Sequence, residues 1–146
     1  VLDRVWEESN GAVHPSATGL RMAAAAGKIL TLEWAHSRQL PGFQGLMDVA
    51  AWRGRLAVLK WLFANRVEGC TVNAANWAAQ RGHLKVLRWL RDVVGQKCTN
   101  EGLEAAATAG HVPVVAWLLS NSRDQRAPAV ITPAIISAAS NGHVEV

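Results

Sequence analysis

The chain has only two cysteines in 146 residues, too few for a disulfide scaffold. It has no apolar run near the length of about 20 residues that spans a bilayer, and the alanines at 23–26 are far too few. No stretch resembles a secretory signal. An opening at Val1 rather than at methionine fits a piece of a longer protein. A phosphate-binding loop is missing too, since Gly42-Phe43-Gln44-Gly45 lacks both the lysine and a preceding strand. Ser137 and Ser140 have no positioned base and acid, so no catalytic set emerges. These absences point away from an enzyme and imply no cofactor. Charge is sparse as well, at 18% of residues with a net +4. That balance aids solubility and biases the choice of partner, without by itself pointing to nucleic acid.

Apolar side chains, by contrast, make up 50% of the chain, which argues against disorder and for one domain with a real core. They recur in a fixed order. Residues 78–90 read Ala-Ala-Gln-Arg-Gly-His-Leu-Lys-Val-Leu-Arg-Trp-Leu, with edited copies at 23–35, 50–62 and 106–118 and a cut-off copy at 138–146. The anchors Gly27, Gly54, Gly82, Gly110 and Gly142 stand 27, 28, 28 and 32 residues apart. Such a period marks a stack of repeats.

Each unit reads as a short helix with an alanine pair on its packed face, a glycine stop, and a bulkier second helix. Ser16 or Thr18 caps a first helix that runs to residue 26, and its partner runs through Trp34. Further pairs are expected at 43–53 and 56–65, 71–81 and 84–93, and 99–109 and 112–120. The repeats fall at about 16–42, 43–70, 71–98 and 99–130, between a partial unit at 1–15 and a truncated one at 131–146. The polar linker at 121–130 reads as a mobile loop, and Thr132-Pro133 restarts the pattern. One such hairpin cannot bury its apolar face alone, so stacked neighbours must supply the core. The fold class is all-α, a helical-hairpin repeat solenoid.

Cys70 and Cys98 hold the same place in consecutive repeats. Stacked equivalents lie roughly 10 Å apart, beyond the reach of about 7 Å for a disulfide. Reduced core thiols and an intracellular protein are therefore expected. Trp34, Trp61, Trp89 and Trp117 recur in register, which implies a packing column between repeats. Trp52 and Trp77 break that pattern. Trp52 takes a slot held elsewhere by Ala25, Gln80, Thr108 and Ser140 and reads as exposed. Trp77 shares its slot with Met22, Val49, Ala105 and Ser137, and its reading stays open between core and partner contact.

The string Ala-Ala-x-x-Gly-His, followed by a hydrophobic pair and a leucine, resembles the inner half of an ankyrin repeat. Ala78, Ala79, Gly82, His83, Val86, Leu87 and Leu90 match that pattern, as do Ala106, Ala107, Gly110, His111, Val114, Val115, Leu118 and Leu119. The resemblance covers the chain from about residue 18 onward. Two departures stand out. The family's Thr-Pro-Leu-His opening survives only in its leucine place, as Leu20, Met47, Leu103 and Ile135, with Ala75 once. The interval also falls short of the usual length of about 33 residues. The missing residues are those of the β-turn fingers, so the resemblance implies fingers that are short or absent. Tryptophan before the final leucine is similar to a divergent, short, tryptophan-containing class.

What the resemblance implies is a non-catalytic protein-interaction module or scaffold. A structural spacer within a longer array is the second reading, and a basic nucleic-acid-binding solenoid the third. His83, His111 and His143 follow the anchor glycines, where Lys28 and Arg55 stand in other repeats. Zinc needs converging ligands, whereas one histidine per repeat spreads them; the resemblance implies that they bond loop backbone between neighbours.

Arg53, Arg55, Arg81 and Lys85 gather at the inter-helix turns, with Lys60 and Arg88 one turn on. Stacked, they form a positive stripe suited to a protein partner with an acidic surface. Asp48, Glu101 and Glu104 lie near the starts of first helices, where the dipole favours a carboxylate. One first-helix position varies as Arg21, Asp48, Asn76, Glu104 and Ile136, and another as Ala25, Trp52, Gln80, Thr108 and Ser140. Variable slots on a fixed scaffold are how repeat proteins build a recognition face. The candidate partner-binding residues are Asp48, Trp52, Arg53, Arg55, Trp77, Gln80, Arg81 and Thr108. Nucleic acid ranks last for want of a motif, no membrane contact is expected, and oligomeric state stays open.

Overall fold

The computed structural model describes residues 16–121 together with Thr132 and Ile136. The expectations for the opening partial unit, the linker beyond Asn121, and the truncated last repeat with His143 lie outside these residues. Helices run in pairs: α1 Ala17–Ala26 and α2 Ile29–Ser37; α3 Leu46–Trp52 and α4 Leu56–Asn65; α5 Val72–Gln80 and α6 Leu84–Trp89; α7 Asn100–Thr108 and α8 Val112–Asn121. A π-helical turn, Leu90–Val94, prolongs α6. The connections at 38–45, 66–71 and 95–99 hold no strand, so among the described residues the fold is a sheet-free stack of helical hairpins.

Each letter of the repeated motif has a job. Ser16 caps α1 by accepting from the Gly19 amide at 3.2 Å, and Thr71 caps α5 by accepting from the Asn73 amide. At the other end the glycine closes the helix. Gly82 N–H donates to Ala79 O at 3.0 Å and His83 N–H to Ala78 O at 2.8 Å, with Gly82 at φ +77°. Gly27, Gly54 and Gly110 repeat this geometry. It satisfies two carbonyls that a helix end leaves open. The alanine pair thus supplies the acceptors, the glycine the left-handed turn, and the next residue the second donor.

The alanines also set how closely the hairpins approach. Ala24, Ala50, Ala51, Ala78, Ala79, Ala106 and Ala107 are wholly buried. With nothing larger between them, α1, α3, α5 and α7 pack one on the next along their lengths, while the second helices stand further apart. The core lies between the two layers, where Leu32, Leu59, Leu62, Leu87, Leu90 and Val114 are buried. On the wider side the in-register tryptophans span the gaps. Trp61 meets the His36 ring edge-on at 5.7 Å, Trp89 meets Phe63 at 5.6 Å, and Trp117 lies under Arg91 at 5.2 Å. Each partner stands two residues beyond the tryptophan of the preceding hairpin, so the expected column exists and follows one rule.

Candidate interaction face

The central first helices, α3 and α5, leave only a narrow strip uncovered. In α5, Ala74, Ala75, Asn76, Ala78 and Ala79 are buried, so beyond Val72 at its first turn solvent meets Asn73, Trp77, Gln80 and the C-capping Arg81. Helical spacing puts these on one stripe, and the same register recurs in the neighbours. Met22, Val49, Trp77 and Ala105 form one row across the stack; Ala25, Trp52, Gln80 and Thr108 form the next, one turn on.

Two tryptophans occupy the middle of that grid. Trp77 is 38% exposed and Met22, in its row, 68%. Trp52 is half-buried rather than exposed, because the guanidiniums of Arg53 and Arg81 lie over its ring at 4.3 and 4.9 Å. Arg53 follows α3 and Arg81 follows α5, so the stack itself brings them to one indole. Among the described residues neither guanidinium has a carboxylate partner or donates a hydrogen bond. Gln80 and Thr108 are exposed in the second row, where the Thr108 hydroxyl donates to Glu104 O at 2.8 Å.

Two sequence-derived candidates stand elsewhere. Asp48 is not on open surface: it is 6% exposed, and its two oxygens accept from the Thr71 amide and hydroxyl, both at 2.8 Å. Asn76 repeats the arrangement one hairpin on, accepting from Thr99 N–H at 2.9 Å and donating to its hydroxyl at 2.8 Å. At Asp48 and Asn76 this first-helix position ties α3 and α5 to the cap of the next first helix, whereas Arg21 and Glu104 at the same position are exposed. Arg55 is likewise engaged, since its Nε donates to Ala25 O at 2.9 Å. His83 Nε2 donates to Trp52 O at 3.1 Å, and His111 Nε2 to Gln80 O at 3.0 Å. Arg55 therefore does the work of the histidine it replaces. That work also depends on the anchor glycine, because a Cβ on Gly54 or Gly82 would stand 2.8 Å from the ring of the next repeat's histidine.

Burial and its cationic neighbours hold His83 below its usual value of 6.5, although the bond to the Trp52 carbonyl pulls the other way. The ring is neutral near pH 7, with its proton on the nitrogen that faces the carbonyl. Cys70 and Cys98 are half-buried thiols against the core. Burial raises both, and Cys98 reaches about 12. Cys98 lines a cleft of about 560 Å³ with Leu103, Trp117 and Lys97, but a thiol so hard to ionise is no nucleophile. Among the described residues no three of His, Cys, Asp and Glu converge as a metal site, and no helix is long and apolar enough to cross a membrane.

A family model described as "Ankyrin repeats (many copies)" matches residues 46–91, the two central hairpins α3–α4 and α5–α6 with the start of the π turn. No curated protein matches the chain. The matched span holds Trp52, Arg53, Trp77, Gln80 and Arg81.

Proposed function

We propose that this ankyrin-like stack is a non-catalytic protein-interaction module whose partner, a protein with an acidic surface, lies across the first helices. The observation that carries this is the exposed Trp77, set in a row of otherwise varied residues beside two arginines without acid partners. Large aromatics and arginines are the residues that anchor interfaces. Trp52, Arg53, Trp77, Gln80, Arg81 and Thr108 make up the contact surface, while Asp48 and Arg55 hold its backing in place. An intracellular location, where reduced thiols persist, fits the two unpaired, half-buried cysteines.

The test is affinity capture with the intact chain against a variant carrying Trp77→Asp and Gln80→Lys, both at exposed positions, with folding followed by circular dichroism. Capture should be lost. A second variant, Lys60→Glu with Arg88→Glu on the second helices, should capture normally. Retained capture by the first variant would remove the face from the account.

A further inference from the structure

We infer that Arg53 and Arg81 form a two-pronged carboxylate receptor, selecting a partner segment that carries two acidic side chains beside one large apolar side chain. The inference rests on the interaction-face reading and gives it a chemistry. Arg55, in the turn after Arg53, is already committed to Ala25 O. The guanidiniums of Arg53 and Arg81 lie over the Trp52 ring, and among the described residues neither donates a hydrogen bond. A guanidinium with no hydrogen-bond partner keeps its N–H edges open, and those edges match a carboxylate bidentately.

The indole also removes much of the freedom a long side chain gives up on binding, so the two forks are pre-set. Both lie within 5 Å of one ring centre. The two guanidiniums are therefore under about 10 Å apart, a span that admits acids at i and i+2 of an extended segment, about 7 Å apart. The only carboxylate of α3 and α5 is Asp48, and it is turned inward to Thr71, so nothing on these two helices competes. Trp77 and the half-buried Val49, one turn away, supply the apolar seat. Nucleic acid fits less well, because the guanidiniums already cover the ring on which a base would stack.

The probes are labelled Gly-Ser peptides containing Glu-Leu-Glu or Glu-Glu-Leu, their glutamine counterparts, an all-glutamate peptide without leucine, and oligothymidylate. Binding to the intact chain is read by fluorescence anisotropy. The acid-plus-leucine peptides should bind at least about tenfold more tightly than the glutamine forms. Arg53→Gln with Arg81→Gln should abolish that preference, and Lys60→Gln with Arg88→Gln should preserve it. Trp77→Ala should erase the advantage of leucine. No binding, equal binding of the glutamine forms, equal losses in the two double variants, or tighter binding of oligothymidylate would each overturn the receptor. If capture depends on Trp77 and Gln80 while the arginine variant keeps its preferences, the face stands and the receptor falls.

Discussion

Gly82 shows how much one position can carry. It sits at φ +77°, and a Cβ there would come 2.8 Å from His111 Nδ1. Gly82→Ala should therefore cost about 2 kcal/mol or more in urea denaturation, from the left-handed backbone and the displaced ring together. Asp48 gives a sharper comparison. Asp48→Ala leaves the Thr71 amide and hydroxyl without their partner and should cost about 1–3 kcal/mol. Asp48→Asn should cost much less, because Asn76 already serves Thr99 in the same way. His83 adds a pH dependence. Its folded pKa is depressed, so the unfolded chain takes up a proton near 6.5 that the folded ring refuses. The stability it contributes is present above 6.5 and is lost as pH falls towards the lower folded value. Between about pH 7.5 and about pH 5.5 the wild type should lose more stability than His83→Gln. The role of glycine was legible in the sequence because the motif repeats, and that of histidine came from the resemblance. That of Arg55 was hidden because a different residue type makes the same bond. Asp48 was misread because its place on the helix says nothing of a cap 23 residues later, although Asp48–Thr71 and Asn76–Thr99 share that spacing in plain view.

Among the helices, existence and order followed from the period, whereas the ends did not. The first helix of the second hairpin was expected from residue 43 but begins at Leu46, because Gly45 at its N-cap is held at φ 70°. The second helix of the third hairpin ends in a π turn, where Gln96 N–H reaches Leu90 O at 3.0 Å, and no spacing rule announces that. The tryptophan ladder was expected as a column, yet the residue each tryptophan touches was not, since Phe63, His36 and Arg91 share a position but no chemistry. Trp89 seals one of these gaps from a half-buried site against Phe63. Trp89→Ala should cost about 2 kcal/mol in urea denaturation, below the range for a wholly buried aromatic.

Across the whole molecule, close-packed alanines on one side and tryptophan spacers on the other make a stack that is tight at its first helices and wide at its second. The sequence supplied the stacking through its period. The asymmetry depended on which side chains meet across hairpins, and one copy of the motif does not say. On the tight side a row of side chains outside the core changes from hairpin to hairpin, and there Trp77 stands beside the arginine-covered Trp52. One spectrum separates the two faces, because each of the seven tryptophans carries an indole N–H. Adding the Glu-Leu-Glu peptide to the ¹⁵N-labelled chain should shift the Trp77 and Trp52 indole signals and leave those of Trp34, Trp61, Trp89 and Trp117 in place. Shifts confined to those four, or no shift at all, would contradict the account.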